Sequence, residues 1–178
     1  MPGLERASGR LVGSGLSSLQ TKVEQRRREA ALAGQIEKIS LQATLPSSEM
    51  RNFDALERAY QSAFAENGLD VTALAPAEAA RRIRASAIRA QLVTALDNWA
   101  YSKDRWQPMR GSPGGSLRAI AQLADDDAWR RQLRDPRVIQ DREALIHMAE
   151  SDAVNSQSPE NLMILFHLLE ATKFNGQR

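Results

Sequence analysis

His147 and His167 are the only histidines of the chain, and histidine is the side chain best suited to acid–base or metal chemistry. Glu143 lies four residues before His147, and Asp152 follows five residues after it. A small hydrolase built on His147 with Glu143 or Asp152 is therefore one hypothesis, and it requires these side chains to meet in a pocket. Apart from the position of Glu143, neither histidine has a second metal ligand of the usual kind at helical spacing. We expect both to be surface or half-buried residues, with no catalytic or metal role.

Two other short motifs invite a chemical interpretation. Asp125, Asp126 and Asp127 form an acidic run, but the glycine and the distal glutamate of a calcium loop are missing. We expect a solvated cap before the helix that carries Trp129. Gly13-Ser14-Gly15 is too short for a phosphate-binding loop and precedes no strand-to-helix unit. The sequence also lacks the glycine-rich loop, strand lysine, His-Arg-Asp and Asp-Phe-Gly motifs of a protein kinase. We predict no enzyme activity and no cofactor.

The densest group of basic residues lies within a single predicted helix. It consists of Arg81, Arg82, Arg84 and Arg89. This basic face could bind nucleic acid or an acidic partner, and such binding would weaken steeply with salt. A solvated helix face is the ordinary alternative. The net charge of +2 argues against a dedicated nucleic-acid-binding protein.

Composition indicates one helical domain. The 178 residues include 42% hydrophobic residues, many of them alanine, and few β-branched residues. No stretch alternates apolar and polar residues as a half-buried strand does, so an all-α fold is predicted. The chain has no cysteine, which excludes disulfides and thiolate zinc sites. Neither a secretory signal nor a membrane span is apparent, and we expect a cytoplasmic protein.

The longest amphipathic pattern runs from Pro76 to Lys103 and predicts one continuous helix. Its apolar residues recur at three-, four- and five-residue steps: Ile83, Ala87, Ile88, Leu92, Ala95, Leu96 and Trp99. Such a stripe has to pack against other helices. We place Trp99 and Trp129 in the core, and we leave open whether Trp106 belongs to an exposed recognition surface.

The remaining patterns predict an irregular helical domain of six or seven helices over residues 18–157. Before it, residues 1–17 are rich in glycine and serine and are expected to form a disordered arm. The predicted helices besides the longest one cover residues 18–45, 49–66, 117–123, 128–133, 135–148 and a segment that begins at Ser158. The 49–66 helix is expected to end at Asn67-Gly68, and residues 106–116 are expected to form an exposed loop.

The last helix, within residues 158–178, is apolar on nearly every side. Its candidate interaction residues are Leu162, Leu165, Phe166 and Leu169. A helix that is apolar all round needs neighbours on several sides, and this one breaks off without a following helix. We expect it to bind a protein partner or a second copy of the chain.

The order of several motifs resembles one region of large bacterial serine/threonine protein kinases that carry tetratricopeptide repeats. The resemblance extends from about residue 24 to residue 173. Its blocks are residues 26–30 (RRREA), 35–39 (QIEKI), 68–71 (GLDV), 79–89 (AARRIRASAIR), 92–100 (LVTALDNWA) and 128–138 (AWRRQLRDPRV). One departure is Ala75, since the family usually has aspartate before this proline.

In that family the region lies between the kinase domain and the repeat array. The resemblance implies that residues 158–178 correspond to the first helix of the first repeat, here incomplete. It also implies a non-catalytic spacer and protein-interaction module of a signalling protein. A kinase label would belong to longer relatives, because this chain contains no kinase motif.

Overall fold

The computed structural model describes residues 3–43, 53–107 and 113–173. Within the first of these ranges, side chains are described for residues 16–41. Within the described residues the chain is all-α, as predicted, and contains no strand. Nine α-helices follow one another: α1 Gly3–Ala43, α2 Phe53–Glu66, α3 Pro76–Ala85, α4 Arg89–Trp106, α5 Gly115–Ala124, α6 Ala128–Leu133, α7 Pro136–Gln140, α8 Arg142–Glu150 and α9 Pro159–Thr172. A 3₁₀ helix, Asp152–Ser156, precedes α9. None of the described helices combines the length and the apolar character that a membrane crossing requires.

The first five helices enclose the larger of two cores. Trp99 of α4 lies at its centre, almost fully buried. The ring of Tyr60 stacks on it with centroids 5.5 Å apart, and Phe64 packs at 6.0 Å in a tilted arrangement. Leu32, Ile36 and Ile39 of α1 complete this side of the core. The predicted burial of Trp99 is confirmed.

The turn after α2 is the one predicted from Asn67-Gly68. Gly68 has a φ of 75°, a conformation that costs glycine little because it has no Cβ. The Leu69 amide donates to the Phe64 carbonyl at 2.9 Å, so the end of α2 is closed by a Schellman-type hydrogen bond. Leu69 then packs into the core.

The prediction of a single helix from Pro76 to Lys103 is wrong, because the helix is interrupted between α3 and α4. Ser86 is extended, with a ψ of 144°. The carboxylate of Glu29, on α1, accepts hydrogen bonds from Ser86 Oγ at 3.0 Å and from the Ala87 amide at 3.1 Å. The bend lets both helices pack on α5. Local sequence favours helix here, and a tertiary contact overrides it.

The predicted 135–148 helix is also divided in two. Asp135 caps α7, as expected from the Asp-Pro pair, but α7 has only five residues. Asp141 then caps α8 by accepting from the amides of Glu143 and Ala144. Aspartate is a strong N-cap residue, so a second start inside this pattern is physically reasonable. These two divisions account for nine described helices instead of six or seven.

The prediction of a disordered arm over residues 1–17 differs from the structure. From Gly3 onward these residues belong to α1, which continues as one helix to Ala43. Residues 1 and 2 lie outside the described residues, as do residues 44–45 of the predicted 18–45 helix and residues 49–52 of the predicted 49–66 helix. Leucines, arginines and one alanine between the glycines favour helix in this segment.

A second, smaller core joins α6, α8 and α9. Its buried residues are Trp129, Leu133, Leu145, Met148, Ile164 and Leu165. The indole of Trp129 donates to the Met148 carbonyl at 3.1 Å, which satisfies its polar atom inside the core. The predicted burial of Trp129 is therefore confirmed.

The predicted 106–116 loop is only partly described, since residues 108–112 lie outside the described ranges. Its final residues are held tightly. The Gly114 amide donates to Asp104 Oδ1 at 2.9 Å, and Arg118 of α5 forms an ion pair with Asp104. A Cβ on Gly114 would lie 2.4 Å from the Ala100 carbonyl oxygen. Glycine at this position is thus required for the close approach of the chain to α4.

We predict opposite effects for two glycine-to-alanine substitutions. Gly114→Ala should lower the free energy of unfolding by about 2 kcal/mol, because the added methyl group collides with the backbone of α4. Gly34→Ala should raise it by about 0.5–1 kcal/mol, because Gly34 lies inside α1 and its Cβ would meet no atom within 4 Å. Urea unfolding followed by tryptophan fluorescence measures both. An unchanged midpoint for Gly114→Ala would contradict the packing described here.

Candidate functional site

A buried ion network joins the two cores. Arg134, which follows α6, donates from Nε and Nη2 to the two carboxylate oxygens of Asp97 on α4, both at 2.7 Å. Nη2 also donates to Asp125 at 2.7 Å. Arg130 binds the same Asp125 with two hydrogen bonds of 2.7 and 2.6 Å. The Arg134 side chain is only 4% exposed and that of Asp125 only 2%, so little water competes for these bonds.

Burial and charge act in opposite directions on the two carboxylates. Burial tends to raise the pKa of Asp125, but hydrogen bonds from Arg130 and Arg134 outweigh it and bring the pKa to about 2. Burial raises the pKa of Asp97, and the Arg134 guanidinium offsets only part of this rise. Asp125 is therefore the firmly ionised member of the network at neutral pH.

A small crevice lies beside this network. Its lining combines network side chains with apolar residues of α6 and α9: Asp97, Tyr101, Arg118, Arg130, Leu133, Arg134, Ile164 and Leu168. The crevice offers about 30 Å³, which corresponds to roughly one water molecule. This volume suits a bridging water and is far below that of an ordinary substrate pocket.

The exposed face of α9 is the clearest candidate interaction surface. Leu162, Met163 and Phe166 are 37%, 49% and 53% exposed, and we call these three residues the α9 surface. Large apolar side chains grouped on one helix face are typical of protein–protein contacts. Of the other predicted residues of this helix, Leu165 is buried and Leu169 is half-buried, so both help to hold α9 on the domain.

Aromatic contacts connect α9 with the end of α4. His167 stacks on Tyr101, with ring centroids 5.6 Å apart, and its edge meets Phe166 at 5.6 Å. Burial lowers the pKa of His167, and the Arg105 cation lowers it further. Arg105 also lies 5.9 Å from the ring centre of Trp106, which is 46% exposed. Trp106 is thus an exposed residue next to the helix end that supports α9.

The positive charge of the predicted basic face is largely compensated by neighbouring carboxylates and a carbonyl group. Arg81 and Arg82 share the carboxylate of Glu78, at distances of 2.7–2.8 Å. Arg84 donates to the Leu123 carbonyl on α5, and Arg89 pairs with Asp126 at 2.6 Å. These four arginines therefore serve contacts within the domain as well as facing solvent.

The hydrolase hypothesis requires its three residues to meet in a pocket. His147, Glu143 and Asp152 are all exposed, and the crevice described above is lined by other side chains. In the described part of the chain, no group of three or more acidic or histidine side chains is arranged to hold a metal ion. Of the acidic run, Asp127 caps α6 as expected, but Asp125 is buried in the network and not solvated.

Sequence reasoning missed the ion network, although one signal was present. Asp97 lies away from the apolar stripe, but its neighbours at helical spacing are Val93, Ala100 and Tyr101, and a charged residue among such neighbours requires a partner. Arg130 and Arg134 lie four residues apart beside Trp129 and Leu133, so the two arginines share one side of the α6 turn. The pairing of Asp97 with Arg134 spans 37 residues, and no local rule connects them.

Comparisons with protein-family profiles, with curated proteins and with solved structures find no match for this chain.

We predict that Asp97→Asn lowers the free energy of unfolding by about 3 kcal/mol, because it leaves the buried Arg134 with half of its carboxylate partners. Asp126→Asn is the matched control. It removes the same charge from an 80% exposed side chain paired with Arg89, and should cost less than about 1 kcal/mol. Urea unfolding measures both variants. Equal, small losses would show that the network does not support the fold.

The low pKa of Asp125 predicts a specific loss of stability in acid. Its pKa of about 2 in the folded chain lies below the roughly 3.9 of an unfolded chain, so its stabilising effect is present above pH 4. This effect should disappear as the pH falls from about 4 to about 2. The difference in unfolding free energy between wild type and Asp125→Asn should therefore shrink over this range. A difference that stays constant from pH 6 to pH 2, measured by urea unfolding, would contradict this assignment.

Proposed function

We propose that this chain is a non-catalytic helical spacer and protein-interaction module that binds a partner helix through the α9 surface. The single observation that carries the proposal is the exposure of Leu162, Met163 and Phe166 together on one face of α9. The opposite face is fixed on the domain by Ile164 and Leu165. A helix anchored on one side and apolar on the other is suited to accept a second helix.

The resemblance to the region between kinase domain and tetratricopeptide repeats supports the same proposal. In this proposal α9 acts as the first helix of a repeat, and an amphipathic second helix binds to the α9 surface. Arg142 of α8 donates to the Leu169 carbonyl at 2.8 Å, which helps to fix the direction of α9 relative to the domain. A fixed direction is what a spacer in front of a repeat array requires. The protein would act in bacterial signalling, in the cytoplasm.

The alternative is that the Arg81–Arg89 face binds nucleic acid or an acidic partner. No contact in the structure favours it over the α9 surface, because Glu78 and Asp126 already neutralise much of this face. It remains a prediction that retention of RNA or DNA at low salt would support.

The proposal predicts that a second helix stabilises the chain. The full chain should be extended beyond Arg178 by a turn and a consensus second helix of a tetratricopeptide repeat. We expect the free energy of unfolding to rise by about 2 kcal/mol, because the added helix buries Leu162 and Phe166. Hydrogen exchange of the α9 amides should slow in parallel. Urea unfolding and hydrogen exchange measure the two effects.

Phe166→Glu should abolish this gain, whereas Ala171→Glu, which adds the same charge at another exposed position of α9, should preserve most of it. An equal gain in both variants would contradict binding at the α9 surface. A dimer that forms without the added helix and is lost in Phe166→Glu would identify a second copy as the occupant. Turnover of ATP by the purified chain would contradict the non-catalytic part of the proposal.

A further inference from the structure

The helix α1 leaves the domain in its first half. Every described side chain from Leu16 to Arg28 is exposed, and the first buried one is Glu29. From there Leu32, Ile36 and Ile39 pack into the larger core against α2 and α4. The segment 16–28 is thus a helix held at one end by the domain, and its side chains are exposed along its length.

This segment carries an apolar stripe of its own. Leu16, Leu19 and Val23 are 58%, 58% and 51% exposed and follow one another at steps of three and four residues. At 3.6 residues per turn, their mean direction lies about 170° around the helix from that of Leu32, Ile36 and Ile39. We call these three residues the α1 stripe.

The reversal of direction shows that the α1 stripe cannot be a continuation of the domain-facing side. On the segment 16–28 that side continues through Ser18 and Gln25, which are polar and exposed. Two apolar stripes on opposite faces of one helix require two different neighbours. The domain supplies the neighbour for Leu32, Ile36 and Ile39 only.

The charge of the segment indicates which neighbour fits the α1 stripe. Residues 16–28 contain four cations, Lys22, Arg26, Arg27 and Arg28, and one carboxylate, Glu24. Arg26 and Arg27 reach carboxylates only at 3.5 Å. Lys22 and Arg28 form no ion pair with the residues that the structure describes. The segment therefore presents a net positive charge of three around an apolar stripe.

We propose that the α1 stripe binds an apolar groove or helix face of a protein partner whose rim is acidic. Leu16, Leu19 and Val23 have the i, i+3, i+7 spacing of anchor residues in helix-in-groove complexes. Lys22, Arg26 and Arg27 lie within about 100° of the α1 stripe around the helix and pair with carboxylates on the partner's rim, which accelerates association and fixes the orientation. This interface is separate from the α9 surface, which belongs to the smaller core.

Two other occupants fit less well. A second copy would bring the same three excess positive charges against the first, and like charges beside a coiled-coil seam oppose pairing. An anionic membrane would accept the charges, but membrane binding scales with the apolar area buried, and the α1 stripe has three aliphatic side chains and no aromatic one. An acidic, leucine-rich protein surface satisfies both the stripe and the charges.

The experiment uses the full chain and a synthetic helical peptide of about four heptads, with leucine at the core positions and glutamate at the flanking positions. A second peptide carries lysine in place of glutamate. Fluorescence anisotropy of the labelled peptides measures binding. We expect the acidic peptide to bind, with an affinity that falls with salt, and the basic peptide to bind at least about tenfold more weakly.

Two matched variants separate the stripe from the charge. Leu19→Glu with Val23→Glu should weaken binding of the acidic peptide by at least about tenfold. Ser17→Glu with Thr21→Glu adds the same two charges on the other side of the exposed segment and should weaken it by less than about threefold. Both pairs are also compared in a Phe166→Glu background, which removes any binding of the peptide to the α9 surface, so failure here and failure of the proposed function are distinguishable. All these positions are exposed, so the unfolding midpoints should stay close to that of the wild type.

Four outcomes would overturn the proposal. The first is absence of binding to the acidic peptide, and the second is an equal loss of binding in the two double variants. The third is sedimentation with vesicles of about one third phosphatidylserine in the absence of peptide binding. The fourth is a dimer that Leu19→Glu with Val23→Glu converts to monomer. The third would assign the segment to a membrane surface. The fourth would assign it to a second copy.

Discussion

Arg134 binds Asp97 and Asp125 at once, and this pair of contacts is the constraint on which the arrangement of the domain depends. Asp97 comes from the helix that fills the larger core, and Arg134 follows the short helix that carries Trp129 and Leu133 into the smaller one. The Asp97–Arg134 ion pair therefore joins a helix of the larger core to the segment that follows a helix of the smaller core. Separating the two cores would break the Arg134–Asp97 bonds and leave both charges only partly compensated, so the cores have to keep their relative position.

The sequence predicted the helical class and the central packing because these depend on local periodicity. Trp99 and Trp129 were assigned to the core from their apolar neighbours, and the turn at Gly68 from the need for a left-handed residue. The divisions at Ser86 and Asp141 were missed for different reasons. Asp141 is a local cap that could have been recognised, whereas Ser86 is extended because Glu29 of a distant helix holds the break open.

The candidate sites were predictable from the sequence where they depend on the composition of a single helix and not on how that helix packs against others. The apolar excess of α9 predicts an interaction helix, which stays a prediction, and periodicity alone does not distinguish Leu165, which is buried, from Phe166, which is exposed. That distinction depends on which side α8 and the smaller core occupy. For the arginines from Arg81 to Arg89, the sequence contains the carboxylate partners Glu78 and Asp126 but does not show which arginine pairs with which carboxylate.

Glu29 links the fold to the projecting half of α1. Burial tends to raise the pKa of this carboxyl, but hydrogen bonds from the Ala87 amide, Gln25 and Ser86 lower it overall, so the group is held as an anion. It therefore fixes α1 at the point where the helix leaves the domain and, at the same time, satisfies polar groups at the start of α4. A helix fixed in this way projects in a defined direction. The α1 stripe belongs to the same helix that the core holds, so binding to it is expected to cost less ordering entropy than binding to a free peptide of the same sequence.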